Sequence, residues 1–264
     1  MRVVKHLDLA GAADMSVKNA DVVDAIEVFV SGFAATRSRT HPYLAERVGK
    51  LWWLHDGPRR TAHGHRKDEW VAYDVAPQTV DAAARERSRG RYCVSVIRGV
   101  DEPDEALRAE YKGLGYRLMT TEPFFVHPLK RIPKLEAPAE IVRLLTAELA
   151  EKFAKETRMK VLTPAQYADD APQRQYVALD GKKIVGWVCS VAAGDSRWCT
   201  NMVVRPSHRR RGIGKALLAK MLREDRSHGA RQSVLLASHA GALLYPHVGY
   251  EQVGLLLMFV PKRR

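Results

Sequence analysis

The most chemically suggestive stretch of this sequence is Met202-Val203-Val204-Arg205-Pro206-Ser207-His208-Arg209-Arg210-Arg211-Gly212-Ile213-Gly214-Lys215. A β-branched run ends at Pro206 and a basic turn follows. Gly212 and Gly214 then open a helix whose apolar face is marked by Ile213, Leu217 and Met221. Glycine lets a backbone approach a ligand closely, and a helix N-terminus presents unpaired N–H groups and the positive end of a dipole. Together these make a phosphate-binding geometry, and Arg209, Arg210 and Arg211 add charge at the same spot. The spacing is not that of a P-loop, which needs an earlier glycine and a hydroxyl residue after the lysine. A dinucleotide fingerprint needs a third glycine and a later ribose-binding acid, also absent. A nucleic-acid patch accounts for the arginines but leaves the glycine spacing unexplained.

A second stretch follows in order: Leu235-Leu236-Ala237-Ser238, then Ala242-Leu243-Leu244-Tyr245-Pro246-His247-Val248-Gly249-Tyr250. Arg209-x-x-Gly212-x-Gly214, after a strand ending Val-x-Pro, resembles the acetyl-CoA signature of the GNAT superfamily of N-acyltransferases. The downstream stretch resembles that family's second signature, and the resemblance covers about residues 133–264. It implies an α/β (α+β) fold with a mixed central sheet flanked by helices. Acyl-CoA would lie in a V-shaped gap between strands at 198–204 and 233–237. The pantetheine would pair with the backbone of Met202, Val203 and Val204, with Ser238 as a further partner. The pyrophosphate would sit on the N–H groups of Arg209, Arg210, Arg211, Gly212, Ile213, Gly214 and Lys215. The resemblance further implies direct attack of an amine on the thioester carbonyl. A backbone amide near Val203 would polarise the oxygen, and Tyr245 would protonate the departing CoA thiolate as general acid.

Two departures from the family pattern stand out. Many members carry a glutamate on the strand before the glycine turn, whereas Trp198-Cys199-Thr200-Asn201-Met202 holds no carboxylate. Water, Asp195 in the preceding loop, and His239 remain as routes for the amine's proton. Pro246 directly follows Tyr245 and removes a backbone donor inside a short helix.

The elements that must position these residues follow from periodicity and breakers. Residues 19–33 place Val22, Ala25, Ile26, Phe29, Val30 and Phe33 at helical spacing, with Asn19 or Asp21 available as a cap. Strands are expected at 50–54, 70–75 and 92–97, helices at 79–89 and 104–114, and extended chain at 118–127. Pro128, Pro133 and Pro138, mixed with Lys130, Arg131 and Lys134, read as a linker. Beyond it come a helix at 139–157, a hairpin of 176–179 and 184–191 about Asp180-Gly181, and a strand at 198–204. A helix at 212–226, a strand at 233–237, a short helix at 240–247 and a final strand at 255–260 complete the reading. This alternation predicts an α/β domain with some parallel pairing.

The linker divides the chain into 1–130 and 133–264, and the first part carries faint echoes of the second. Val75-Ala76-Pro77 closes a strand as Val204-Arg205-Pro206 does. Tyr111-x-x-x-Gly115-Tyr116 repeats the spacing of Tyr245-x-x-x-Gly249-Tyr250. The proline-to-tyrosine interval is five residues shorter in the first part, about the size of the phosphate turn. No Arg-x-x-Gly-x-Gly follows Pro77, and Asp81 enters where phosphate would need positive potential. The expectation is a tandem of two similar lobes with one cofactor site. The degenerate first lobe would shape the acceptor cleft or support the catalytic second one. A chance Gly-Tyr match is the plain alternative.

Composition bounds these readings. The chain has 264 residues, 43 Lys+Arg against 30 Asp+Glu and a net charge of +13, with 46% hydrophobic residues. Disordered, collagen-like and membrane-spanning classes are excluded. Cys93, Cys189 and Cys199 form an odd set without Cys-x-x-Cys spacing and read as buried thiols. His6 and Asp8 interrupt any apolar run at the start, so no signal peptide is expected and a cytoplasmic location is the default. His63-Gly64-His65 lacks a second ligand pair and reads as a solvated loop rather than a metal site. Trp52, Trp53 and Trp70 read as core rather than as a base-stacking platform. The sequence therefore predicts an N-acetyltransferase that passes an acetyl group from acetyl-CoA to a primary amine on a small molecule or peptide. It uses no metal and no membrane, and its oligomeric state is open. An acyl-CoA-binding sensor or structural module without turnover is the second reading, favoured by the missing carboxylate. A basic nucleic-acid- or ribosome-associated protein is the third, supported only by charge.

Overall fold

In chain order, helix α1 (Leu9–Arg37) leads into β1 (Tyr43–Val48), β2 (Leu51–Asp56), β3 (Asp68–Tyr73), α2 (Pro77–Arg87), β4 (Tyr92–Arg98), α3 (Glu105–Gly113) and β5 (Tyr116–His127). After the proline-bearing stretch come β6 (Glu140–Arg143), α4 (Ala147–Thr157), α5 (Pro164–Tyr167), β7 (Gln173–Asp180), β8 (Lys183–Ala193) and β9 (Ser196–Val204). The chain ends with α6 (Ile213–Ser227), β10 (Ser233–Leu236), α7 (His239–Ala242) and β11 (Glu251–Pro261). The structure, a computed structural model, describes residues 9–38, 40–59, 64–136 and 138–262, with side chains from residue 22 onward. His6, Asp8 and His63 lie outside the described residues.

All eleven strands join one sheet in the order β1-β2-β3-β4-β11-β5-β10-β9-β8-β7-β6. Read outward from the centre, five strands on each side match, and β6 adds a further edge strand on one side. β3 and β4 are parallel, as are β9 and β10. β4 pairs antiparallel with β11, and β10 pairs antiparallel with β5. The hairpins β1–β2 and β2–β3 correspond to β7–β8 and β8–β9. The midline is the long antiparallel pairing of β5 with β11, from Glu251 opposite Val126 to Pro261 opposite Tyr116. Each of these two strands crosses into the sheet half built by the other part of the sequence. The proline-rich stretch carries no helix or strand among its described residues, yet the two parts it joins share one sheet.

Alternation along the strands sorts the core into faces. Val71, Ile97, Phe124, Val234 and Leu256 pack with Ile26, Phe29 and Val30 of α1. Their neighbours Trp70, Ala72, Val94, Val96 and Leu257 face the other way, towards Val80 and Ala84 of α2 and Leu107 and Tyr111 of α3. On that same side of the second half, Leu217, Leu218, Met221 and Leu222 of α6 cover Val188, Cys199 and Leu235. A further cluster seats Phe153 of α4 on Val177 and Ile184. The three cysteines are buried. Trp52, Trp53 and Trp70 are also buried, with Trp53 stacked between His55 at 3.9 Å and Trp70 at 5.5 Å. No helix among the described residues is long and apolar enough to cross a membrane.

Four expectations need correction. Asn19 and Asp21 lie inside α1 rather than at its start, because Ala10, Ala12 and Ala13 are strong helix formers and carry the helix back to Leu9. The helix expected at 139–157 is two elements. Ile141 and Val142 enter an edge strand on β7, and α4 begins only where Thr146 Oγ accepts a hydrogen bond from Leu149 N–H at 3.2 Å. β1 was missed because only Tyr43 of its six residues is buried, so no alternation shows. The helix expected at 240–247 breaks into α7 and a 3₁₀ turn at Tyr245–Val248, where Pro246 supplies no N–H.

Helix α1 lies close against the sheet at Gly32, where a Cβ would fall inside the Trp198 side chain. Gly32→Val should therefore lift α1 off the sheet and destabilise the protein by about 3 kcal/mol, a Tm loss of about 6–12 °C. Gly113→Ala meets nothing within 4 Å and should leave Tm near the wild-type value. Thermal melts of the two variants check this, and equal melts would show that α1 does not dock through Gly32.

Candidate functional site

The site begins where two parallel strands part. β9 and β10 pair only at Arg197↔Ser233 and Trp198↔Val234, after which β9 runs on to Val204 with no ladder on that edge. In the first half, β3 and β4 stay paired at six successive positions, from Asp68↔Tyr92 to Tyr73↔Ile97. The gap therefore exists on one side of the sheet only.

The free edge of β9 is also kinked. Cys189 pairs with Thr200 and Trp187 with Val203, so β9 carries one extra residue over that step. Asn201 sits there with φ 54°, a left-handed conformation that asparagine tolerates better than most residues. Such a bulge re-aims the backbone groups that follow. Here those are Met202, Val203 and Val204, all half-buried on the gap. Asn201 carried no signal in the motif reading beyond its residue type.

Beyond β9 the chain is pinned before it turns. Arg205 N–H donates to the Val185 carbonyl at 2.8 Å, and its guanidinium donates to the carbonyls of Ile184 at 2.6 Å and Glu156 at 3.0 Å. One 3₁₀ turn, Pro206–His208, leads to Arg210 at φ 63° and Gly212 at φ 83°. Gly212 caps α6 without any side-chain acceptor. The first bond of the helix runs from Ala216 N–H to the Gly212 carbonyl, so the N–H groups of Ile213, Gly214 and Lys215 precede the helical ladder. The Arg209 N–H is already bonded to the Pro206 carbonyl, and its Nε donates to the Val204 carbonyl at 3.1 Å. Arg209 thus braces the turn, while Arg210 and Arg211 are exposed beside it. A Cβ on Gly214 would press on Met202 Cε at 3.1 Å and Leu244 Cδ2 at 3.2 Å, so this glycine keeps the helix start close to the gap's lining.

Tyr245 is 7% exposed and lies among Phe125 and Tyr250, ring centroids 5.6 Å away in each case. Burial, with Cys199 nearby, raises its pKa, which keeps the hydroxyl protonated and able to donate. Its counterpart in the first half, Tyr111, packs on Phe259 at 4.3 Å and Tyr116 at 5.5 Å. Each tyrosine thus rests on an aromatic ring from the strand that crosses over. Tyr111 is wholly buried and its hydroxyl has no hydrogen-bond partner.

The other expected residues are scattered. Ser238 Oγ accepts from Gly241 N–H at 3.1 Å, capping α7. His239 Nε2 lies 2.7 Å from Thr121 Oγ1 at the mouth of the gap. Asp195 sits at the opposite end of β9, in the turn before Ser196. It accepts from Ser196 Oγ and from the Arg231 guanidinium, which together hold its pKa below the usual value. This carboxylate thus lies at the end of β9 away from the opening of the gap. No group of three or more His, Cys, Asp or Glu side chains among the described residues is arranged to hold a metal ion.

His127, buried at the end of β5, ties the tyrosine turn to the sheet. Its Nε2 donates to the Val248 carbonyl at 3.0 Å, and its Nδ1 accepts from Leu129 N–H at 2.8 Å. Only the neutral ring can do both. Burial lowers its pKa, with Arg226 acting in the same direction and the Val248 carbonyl and Glu251 opposing. Below about pH 6.5 the unfolded chain takes up a proton that the folded ring excludes, so this histidine's contribution to stability is lost as pH falls through its folded pKa. Tm should drop more steeply between pH 7 and pH 5 in the wild type than in His127→Gln, and melts across that range check it. Parallel curves would remove His127 as the cause.

Residues 171–252 match the acetyltransferase (GNAT) domain. No curated protein matches the chain. Among solved structures, a GCN5-related N-acetyltransferase from Kribbella flavida superimposes with a TM-score of 0.61 at 16% identity, covering 91% of this chain and 96% of that one. One from Sphaerobacter thermophilus gives 0.52 at 20% identity, covering 80% and 76%. A GCN5-related N-acetyltransferase-like protein from Streptococcus suis gives 0.51 at 12% identity, covering 94% and 100%. At these identities the superpositions speak for the fold. The parted strands, the bulge and the glycine turn all fall inside the matched segment. The chain therefore has the GNAT fold, and its residues 171–252 match the GNAT acetyltransferase domain.

Proposed function

We propose that the protein transfers an acetyl group from acetyl-CoA to a primary amine within a ternary complex. The observation that carries this reading is the early parting of β9 and β10 beside a helix start that no side chain caps. The gap leaves a strand edge free to pair with an extended amide chain such as pantetheine. The N–H groups of Ile213, Gly214 and Lys215 and the charges of Arg210 and Arg211 suit a pyrophosphate. Met202, Val203 and Val204 would bond the pantetheine. The backbone N–H near Val203, turned by the bulge, would polarise the thioester oxygen as its negative charge grows. Tyr245 would give its proton to the departing thiolate.

The first half is best read as a second copy of the fold that holds no cofactor. Matching strand order and pairing senses on the two sides of the midline support duplication. The unbroken β3–β4 pairing and the missing phosphate turn support loss of the cofactor site. The second reading, an acyl-CoA sensor without turnover, draws on the absence of a carboxylate from β9.

Two substitutions test the acetyl-transfer reading with different readouts. Gly214→Val should displace Met202 and Leu244 and crowd the turn, weakening acetyl-CoA binding about tenfold or more, at about 1.4 kcal/mol per factor of ten, without unfolding the protein. Calorimetry and circular dichroism check it, and unchanged affinity would remove the cradle. Tyr245→Phe should lower turnover with a panel of primary amines by roughly 10²–10⁴-fold while acetyl-CoA affinity holds. A fully active Phe variant would return Tyr245 to the core. CoA-dependent thermal stabilisation of the wild type without CoA release on any amine would favour the sensor.

A further inference from the structure

Neither β9 nor β10 carries an acidic residue, so a base for the acceptor must come from elsewhere. The neighbouring strand supplies one. Val234 of β10 pairs with Trp198 on one side and with Val126 of β5 on the other. Four residues further toward the opening, the walls reach Met202 on β9 and Glu122 on β5, with the Asn201 bulge inside that step. β10 has ended by then: its last contact to β5 is Ala237 N–H donating to the Pro123 carbonyl at 3.0 Å. Glu122 is the next residue along β5 and stands, half-buried, at the open end of the gap.

Its face is set by alternation. Phe124, two residues along in the same regular register, packs against Phe29 of α1 with ring centroids 6.2 Å apart. Glu122 shares that face. Tyr245 lies in the cluster with α6 on the other face. A carboxylate and a phenol thus flank the gap from opposite sides, which suits an acid and a base acting on the two ends of one transfer.

We propose that Glu122 is the acceptor base, pairing with the ammonium form of the incoming amine and taking one proton from it. This rests on the acetyl-transfer reading of the gap. The freed nitrogen lone pair forms a bond to the thioester carbonyl carbon and the C–S bond breaks. The thiolate takes the Tyr245 proton, and the second proton leaving the nitrogen returns through solvent to the Tyr245 oxygen. Glu122 releases its own proton to water, so the sum is amide, thiol and one proton. The acceptor class follows: an amine that arrives as a cation and is drawn to a carboxylate on an otherwise basic protein.

The charged groups around Glu122 fit this role. Burial raises its pKa, and His239 from α7 opposes that shift. Glu69 of β3, buried and paired with Arg37 at 3.2 Å, has its own pKa raised by burial and in smaller part by Glu122. The base therefore comes from a strand of the first half, and the second half on its own would lack it.

The test uses the full chain, acetyl-CoA and a panel of a diamine, an amino sugar, free amino acids and a lysyl peptide, with CoA release as the readout. Glu122→Gln should bind acetyl-CoA as the wild type does. It should lose about 10²–10³-fold in kcat/KM near pH 7, with the deficit shrinking as pH nears the acceptor amine's own pKa. Glu122→Asp should recover part of the rate. Should the Gln variant fail to fold, the wild-type profile still decides. Its acid limb should stay in place when the acceptor is exchanged for a less basic amine, and a limb that tracks the amine overturns the proposal. So does a folded Glu122→Gln enzyme within about threefold of wild type at every pH, a gap of less than about 0.7 kcal/mol in transition-state stabilisation. A wild type that binds no acetyl-CoA, or releases no CoA with any amine, overturns the acetyl-transfer reading and this inference with it.

Discussion

The antiparallel ladder between β5 and β11 is the interaction on which the rest of this structure depends. It runs from Tyr116 to Val126 on one strand and from Glu251 to Pro261 on the other, with two irregularities along its length. Because each strand then pairs outward with the opposite half, a single ladder fuses two small sheets into one of eleven strands. Neither half has an exposed edge at the midline, where an unpaired row of N–H and C=O groups would invite aggregation. Helix α1 reinforces the join by packing on residues from both parts of the sequence, among them Val71, Ile97, Trp198 and Val234.

The gap takes its character from the same arrangement. Parallel strands part only if each finds other partners. β10 is held on its far side by β5, and β9 on its far side by β8. In the first half, the strands equivalent to β9 and β10 stay zipped, and the segment after Pro77 enters α2 without a glycine turn. Symmetry of framework with asymmetry at one pair of strands fits the proposed duplication with a single cofactor site. The aromatic pairs follow this pattern: Tyr245 rests on Phe125 and Tyr111 on Phe259, each ring supplied from across the midline.

Local signals in the sequence reached the elements around the gap well. Gly212 and Gly214, the Val-x-Pro strand end and the Tyr-x-x-x-Gly-Tyr spacing all mark short-range geometry: positive φ, a helix start, a tight turn into a strand. The echo of that last spacing at Tyr111 was enough to suggest a second copy. What escaped was set by distant pairing. Glu122 belongs to the site only because β5 crosses the midline, and no spacing within residues 133–264 points to residue 122. The bulge at Asn201 needs the β8 register to be seen. β1 and β6 are edge strands with few buried residues and leave no alternation to read. Asp195 was attractive by nearness in sequence, yet strand length carried it to the far end of β9.

The crossing of β5 and β11 also dictates a timetable. As the chain is synthesised, β1 to β5 emerge first, but the slot between β4 and β5 is filled by β11, the last strand of the sequence. Until it arrives, β4 and β5 have no strand to bridge them, and β5 waits for β10 on its other side. The central pairings join residues far apart along the chain, the kind of contact whose loop-closure cost slows folding. The first half therefore cannot complete its sheet as an independent early unit, as an ordinary N-terminal domain does. Closure of the sheet on both sides of the midline therefore waits for β11.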